Sequence, residues 1–187
     1  QILKLKGIKI YSYVKSIGNI FVEKPYSELD LSSIYKNDVR CPCSETSKKM
    51  QSIIELSKKQ GDTLGGQVFT VIKGVSAGLG EPIFNKLNAS IAKAVMSINA
   101  CKGVFFGSGF LGSEKKGSEE NDIFISESDE IKTKTNNSGG IQGGISNGQQ
   151  ICFHSAFKPV STLLKKQRTI DSNLKMVHFH SSGRHDP

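Results

Sequence analysis

The sequence predicts an α+β fold with antiparallel sheets. Three segments have the composition of strands, at 7–18, 67–75 and 151–159, because they alternate in polarity or are rich in β-branched and aromatic residues. Two segments, at 44–61 and 82–98, repeat apolar residues at helical spacing. These elements do not follow each other with the regular alternation of a parallel βαβ sheet, which favours antiparallel pairing.

The first predicted strand is followed by a loop and then by a helix. Residues 21–40 mix apolar residues with turn formers, so we expect a loop there. Ser44 is predicted to cap the N-terminus of the helix, and Gly61 is predicted to end it. The face that we expect to be buried carries Met50, Ile53, Ile54 and Ser57.

The second predicted helix begins near Pro82, which suits the first turn of a helix because it lacks an N–H group. Its apolar stripe consists of Ile83, Leu87, Ile91, Val95 and Ile98. A short strand at 103–106 follows. The polar, Ser-rich segment 112–135 is predicted to be a surface insertion.

Composition limits the classes of function. The chain of 187 residues has a net charge of +8 and no apolar run near the roughly 20 residues of a membrane span. An excess of basic over acidic residues favours anionic partners. The sequence lacks, however, the arginine-rich pattern with interleaved aromatic residues that is typical of nucleic-acid modules. Its four cysteines have poor zinc spacing and form no dense disulfide framework, so we expect reduced thiols and no metal.

Two glycine-rich segments are candidates for ligand binding. Residues 107–112 match the G-x-G-x-x-G pattern, but no amphipathic helix follows to meet a pyrophosphate, which argues against a dinucleotide site. In the segment 136–148, Ile141 and Ile145 each directly follow a pair of glycines. A flexible linker would instead be mostly Gly and Ser. Glycines allow close approach of a ligand, and the amide side chains suit a planar heterocycle or a phosphate. A ligand loop is therefore favoured over a linker.

Two polar groups lie near the C-terminal end of the sequence. The first is the run Lys158, Pro159, Val160, Ser161 and Thr162, which combines a cation, two hydroxyl groups and a rigid turn at the end of a predicted strand. A purely structural turn would not need the lysine. The second is the triplet 184–186, Arg-His-Asp, which places a cation, a base and a carboxylate together and is a weak signal alone.

The order of these motifs resembles the C-terminal half of the chorismate synthase family. The segments that carry the resemblance are 78–82, 96–103, 107–110, 136–148, 158–162 and 183–187. On this resemblance, residues 1–187 are the C-terminal portion of a single chorismate synthase domain, and 132–140 is more similar to the fungal and protozoan branch than to the bacterial one. The family's Gly-Glu-Ser-His-Gly motif belongs to its N-terminal half and does not occur in these residues.

The resemblance implies a fold, a cofactor and a reaction. The fold is a β-α-β sandwich of antiparallel sheets around central helices, in a cytoplasmic homotetramer. The cofactor is reduced FMN, with NADPH as a candidate reductant, and the substrate is 5-enolpyruvylshikimate 3-phosphate. The reaction is an anti 1,4-elimination of phosphate that yields chorismate. A non-catalytic flavin- or nucleotide-binding module is the alternative, and a basic nucleic-acid protein comes third.

The resemblance also implies site residues. Four single positions match residues that contact the flavin: Asn99, Ala100, Gly143 and Arg184. The run from Lys158 to Thr162 matches the segment that holds the flavin. Asp186 matches a carboxylate proposed to assist proton transfer beside the flavin, so we expect it to be the catalytic residue of this half of the family.

Overall fold

The computed structural model describes residues 1–181, so the predicted site residues Arg184 and Asp186 lie outside the described residues. The helices are α1 (Ile2–Leu5), α2 (Ser44–Lys59), α3 (Leu87–Met96) and α4 (Gly117–Glu120). Short 3-10 helices span Tyr26–Glu28, Leu31–Lys36 and Gly109–Glu114. The strands are β1 (Lys9–Ile17), β2 (Ile20–Phe21), β3 (Gly66–Lys73), β4 (Cys101–Phe106), β5 (Phe124–Glu127), β6 (Glu130–Thr133), β7 (Ile141–Gln142), β8 (Ile145–Ser146), β9 (Ile151–Phe157), β10 (Gln167–Ile170) and β11 (Met176–Phe179).

A five-stranded sheet with the order β2-β1-β3-β9-β4 is the largest sheet of the described chain. β1 and β2 pair antiparallel in a register that sets Ser16 opposite Phe21. The pairs β5–β6, β7–β8 and β10–β11 are also antiparallel. Helices combined with antiparallel strand pairs confirm the predicted α+β class.

The described chain divides into two compact units, 1–13 with 68–155, and 14–67 with 156–181. Each unit has its own apolar core. The buried core of the first unit consists of Val75, Ile141, Ile151 and Phe153. The buried core of the second unit consists of Val22, Val39, Cys41 and Met50.

The structure confirms several elements that periodicity predicts. β1, β3 and β9 occupy the three strand-like segments, and β9 begins at the predicted residue but ends at Phe157, before the predicted end at Pro159. On α2, Met50 and Ser57 are buried as expected, but Ile54 is exposed, so its predicted place on the buried face is wrong. The helix ends just before Gly61, which adopts a left-handed backbone with φ +67°.

The prediction that Ser44 caps α2 is wrong. Ser44 is the first helical residue, and Cys43 holds the N-cap position because its carbonyl group already accepts a hydrogen bond from Ser47 N at 2.8 Å. The Thr46 hydroxyl group donates to Cys43 Sγ at 3.2 Å. This hydrogen bond lowers the pKa of the Cys43 thiol, whereas burial raises the pKa of Cys41.

The second helix begins later than the position of Pro82 suggests. Backbone hydrogen bonds in both directions between Glu81 and Asn85, at 3.0 and 3.1 Å, close a tight loop there, and α3 starts at Leu87. Ile83, which precedes the helix, and Ile98, which follows its end at Met96, are exposed. The middle of the stripe is confirmed, because Leu87, Ile91 and Val95 pack against the core of the first unit.

The segment 112–135 contains the hairpin β5–β6, which the sequence pattern did not predict. All residues of β5 are exposed, but Asp122, just before it, is buried. The interpretation of the whole segment as a surface insertion stays a prediction. The segment nevertheless contributes one buried side chain, that of Asp122, to the first unit.

Two general features of the described residues bear on function. No helix among them has the length and apolar character needed to cross a bilayer. Within residues 1–181, no three His, Cys, Asp or Glu side chains are grouped so that they could hold a metal ion.

Candidate functional site

The predicted run 158–162 follows β9 and borders a cavity of about 330 Å³ in the second unit. The residues that line the cavity are Ser161, Thr162, Leu163, Gln167, Phe179 and Ser181. They combine hydroxyl groups, an amide, an apolar side chain and an aromatic ring. The volume lies at the lower end of the range of small-molecule sites, and most of the lining residues are polar.

The loop 61–65, which joins α2 to β3, holds this run in place. Thr63 Oγ1 donates a hydrogen bond to Val160 O at 2.6 Å. Lys165 Nζ lies 2.5 Å from Asp62 Oδ2, and this hydrogen bond, together with one from the Thr63 N–H group, lowers the pKa of Asp62. Asp62 is therefore ionised at neutral pH and can hold the lysine.

A buried carboxylate anchors the start of the glycine-rich segment in the first unit. Asp122, only 9% exposed, accepts hydrogen bonds from Asn137 N at 2.7 Å, Ser138 N at 2.9 Å, Ser138 Oγ at 2.6 Å and Thr135 Oγ1 at 2.6 Å. Burial raises the pKa of Asp122, but these hydrogen bonds stabilise the anion more strongly and the net shift is downward. The charged form of Asp122 thus fixes the turn at 135–138.

The C-terminal part of the glycine-rich segment is hydrogen-bonded to residues just before α3 and at its start. Ser146 Oγ donates to Ser76 O at 2.7 Å and accepts from Leu79 N at 2.9 Å. Leu87 N, at the start of α3, donates to Gly144 O at 2.8 Å. Contacts within the first unit therefore fix the segment at both ends, which is not the behaviour of a flexible linker.

Most glycines at this place are explained by packing against protein atoms. A Cβ atom on Gly107 would overlap Asn137 O, and one on Gly140 would lie 2.5 Å from Gln150 O. Gly143 differs, because it has φ +60° and nothing lies within 4 Å of the position of a Cβ atom. The expectation that glycines admit a ligand therefore fits Gly143, whereas protein contacts account for Gly107 and Gly140.

Asn99 and Ala100 lie in the turn between α3 and β4. Ala100 has φ +65°, a left-handed conformation that costs a non-glycine residue roughly 1–2 kcal/mol. Gly143 lies next to Gly144, whose carbonyl oxygen accepts a hydrogen bond from Leu87 N at the start of α3. Asn99 lies just after the last turn of α3. The ten residues of α3 rise by about 15 Å. These predicted contacts therefore lie at opposite ends of α3, and a single ligand that touches both must be elongated.

The structure thus places the predicted residues in distinct local settings. The run 158–162 lies at the cavity of the second unit, and Lys158 is exposed. Arg184 and Asp186 lie outside the described residues, three and five positions after the cavity residue Ser181. Their assignment stays a prediction.

Sequence reasoning missed two polar anchors, Asp122 and Thr63. Asp122 lies in the acidic stretch 119–130, which looks like solvated surface, so nothing in the pattern separated it from its neighbours. Thr63 had a usable signal, because the run 61–66, Gly-Asp-Thr-Leu-Gly-Gly, places glycines on both sides of two polar residues. Gly65 marks close approach of another segment, since a Cβ atom there would lie 2.6 Å from Phe157 O.

Comparison with known proteins gives one consistent result. The whole chain, residues 1–187, matches the family model described as chorismate synthase. A chorismate synthase of Christiangramia forsetii is 52% identical over 98% of this chain and 51% of its own length. One of Azobacteroides pseudotrichonymphae is 49% identical over 100% of this chain and 53% of its own length. The chain therefore spans about half the length of the curated relatives it matches.

The fold is also similar to that of a solved protein. A crystal structure of a chorismate synthase superposes with a TM-score of 0.79 at 33% identity, over 86% of this chain and 52% of that one. This similarity confirms the predicted fold class. The prediction of a fungal or protozoan branch is not confirmed, because the relatives named above are bacterial.

Proposed function

The chain belongs to the chorismate synthase family, and we propose that it is the C-terminal half of an enzyme that makes chorismate from 5-enolpyruvylshikimate 3-phosphate. The match of all 187 residues to the family model carries this proposal. The reaction is an anti 1,4-elimination that removes phosphate and a proton from C6. Since the chain spans half the length of its relatives, the activity is proposed for the full-length protein.

The cavity of the second unit supports reduced FMN as the cofactor. Ser161 and Thr162 offer hydroxyl groups to a phosphate or to ring carbonyl groups, and Phe179 offers an aromatic face. The volume of the cavity, about 330 Å³, is at the lower end of the range for ligand sites. Reduced FMN, when bound, supplies transient electron density while phosphate leaves.

The other site residues are proposed to bind the cofactor or to move a proton. Lys158, exposed beyond the end of β9, and Arg184 would balance the negative charge of the ligands. Gly143 would allow a close backbone contact, with Asn99 and Ala100 at the opposite end of α3. Asp186 would accept or relay the proton beside the flavin.

Assembly and location follow from the family and are part of the same proposal. We propose a cytoplasmic homotetramer, which light scattering of the full-length protein would test. Reduction of the flavin by NADPH and the fungal or protozoan branch stay predictions. An anaerobic assay of flavin reduction with NADPH tests the first of these two.

The experiment that tests the function uses the full-length protein with 5-enolpyruvylshikimate 3-phosphate and reduced FMN under anaerobic conditions. Release of phosphate together with chorismate is expected. Lys158→Ala should weaken binding of reduced FMN by about 10- to 100-fold, because a hydrogen bond to a charged group contributes ~1.5–3 kcal/mol. Lys48→Ala, which removes an exposed lysine of α2, is the matched control and should leave the affinity unchanged.

Two results would contradict the proposal in different ways. A folded wild type that binds reduced FMN but releases no phosphate would favour the non-catalytic flavin-binding module. A folded Lys158→Ala variant with wild-type affinity would remove Lys158 from the site and leave the function standing.

A further inference from the structure

We infer that Thr63 is a positioning residue that fixes the wall of the cavity in the second unit, and through that wall the affinity for the flavin. This inference rests on the proposed function for the identity of the ligand. Thr63 does not line the cavity itself. It acts through Val160, the residue directly before the lining residues Ser161 and Thr162.

The central contact is a hydrogen bond between positions that are 97 residues apart in the chain. Thr63 Oγ1 donates to Val160 O at 2.6 Å, and the bond is partly buried. Val160 O belongs to a segment that has no strand partner, because β9 ends at Phe157 and β10 begins at Gln167. The Thr63 hydroxyl group therefore donates to Val160 O the hydrogen bond that a backbone N–H group of a neighbouring strand would donate in a sheet.

Neighbouring contacts show that the loop 61–65 is built around this segment. Gly61 O accepts a hydrogen bond from Leu164 N at 3.0 Å, directly after the lining residue Leu163. Asp62 joins both sides, because Oδ1 accepts from Thr63 N at 2.9 Å and Oδ2 lies 2.5 Å from Lys165 Nζ. The loop therefore holds the segment before and after Ser161 and Thr162.

Close packing leaves no space for a side chain at either glycine of the loop. A Cβ atom on Gly65 would lie 2.6 Å from Phe157 O and 3.0 Å from Pro159 Cδ. A Cβ atom on Gly61 would lie 2.8 Å from Leu164 O. Close backbone packing at both ends, with the Thr63 hydrogen bond between them, identifies the loop as a support for the cavity wall.

This support should act on binding rather than on chemistry. An irregular segment that is not held in place must be ordered when the ligand binds, and the cost of ordering reduces affinity. Once the site is saturated, the lining groups occupy the same positions. The expected signature is a higher Kd for reduced FMN with a nearly unchanged kcat at saturating FMN.

The test compares three variants of the full-length protein. Thr63→Val removes the hydroxyl group at nearly constant shape and should raise the Kd for reduced FMN by roughly three- to tenfold, the range expected from one hydrogen bond. Thr63→Ser keeps the hydroxyl group and should restore the affinity. Thr70→Val is the matched control, because Thr70 Oγ1 also makes a side-chain hydrogen bond, to Ser12 Oγ at 2.9 Å, but in the first unit.

A second measurement does not depend on flavin. Amide hydrogen exchange of residues 158–166 without added FMN should be faster in Thr63→Val than in the wild type, and Thr63→Ser should reverse the change. If Thr63→Val does not fold, Asp62→Asn replaces it, because that change weakens the contacts to Thr63 N and Lys165.

The outcomes separate this inference from the proposed function. A wild type that binds no reduced FMN would overturn the proposed function together with the flavin part of the inference. If the wild type binds FMN, equal Kd values for the wild type and Thr63→Val overturn the inference alone. Unchanged exchange of residues 158–166 in Thr63→Val overturns it as well, whatever the flavin result.

Discussion

Replacing Asp122 by Asn should destabilise the first unit, because this carboxylate organises the turn that begins the glycine-rich segment. It accepts four hydrogen bonds, two at each oxygen. An asparagine keeps one carbonyl oxygen but turns an NH2 group toward donors that need an acceptor. With Nδ2 in place of Oδ2, the Ser138 N–H group is left without an acceptor.

The size of the effect follows from these contacts. A hydrogen bond to a charged group contributes about 1.5–3 kcal/mol, and a buried donor without an acceptor costs about 1–3 kcal/mol. At least one charged hydrogen bond is lost and the remaining ones become neutral. We therefore expect the free energy of unfolding to fall by about 2–4 kcal/mol at pH 7.

Urea denaturation of the full-length protein, followed by circular dichroism, measures this change. The midpoint should fall in Asp122→Asn with little change in the slope. Asp129→Asn is the matched control, because Asp129 is exposed in the turn between β5 and β6 and asparagine tolerates its φ of 61°. Equal midpoints for the two variants would refute the role assigned to Asp122.

The difference should also depend on pH in one direction. The pKa of Asp122 is lowered in the folded protein, so its contribution is fully present above the unfolded pKa of about 3.9. It is lost as the pH falls through the lower folded value. The gap between wild type and Asp122→Asn should therefore be constant near neutrality and shrink in strongly acidic solution. A gap that closes between pH 7 and pH 5 would contradict this assignment.

Two further predictions concern the glycine-rich segment and the C-terminal triplet. Gly107→Ala should unfold the first unit, because its Cβ atom would overlap Asn137 O, whereas Gly143→Ala should cost only about 1 kcal/mol in free energy of unfolding while it weakens flavin binding. Thermal melts and flavin titrations of both variants check this pair, and equal stability of the two would contradict it. Asp186→Asn should lower turnover by ~10²–10⁴ with little change in flavin affinity. Near-normal turnover at saturating FMN and substrate would remove Asp186 from proton transfer.

Periodicity in the sequence predicted the parts of the fold in which side chains pack against one core. β9 and the middle of α3 are examples, because alternation and four-residue spacing reflect burial on one face. The helix starts were less predictable. Near Pro82, two backbone hydrogen bonds between Glu81 and Asn85 outweigh the preference of proline for a first helical turn.

The site shows the same division between local pattern and long-range contact. Ser161 and Thr162 could be selected from sequence because hydroxyl groups next to a lysine and a proline at a strand end form a local pattern. Asp122 could not be selected in this way, and for Thr63 the glycines of the run 61–66 were the only local signal, since the partners of both residues become neighbours only after the chain has folded. Gly143 could be named from the sequence, but its difference from Gly107 required the positions of the surrounding backbone atoms.

The contacts of the loop 61–65 also have a consequence for the order of events during synthesis. Thr63 and Asp62 meet Val160 and Lys165 across 97 and 103 positions of the chain. At ~5–20 residues per second, a ribosome releases the loop about 5–20 s before its partners emerge. During that interval α2 can already form, while Asp62 and Thr63 face water. The cavity wall is therefore assembled only after the loop that supports it has already emerged from the ribosome.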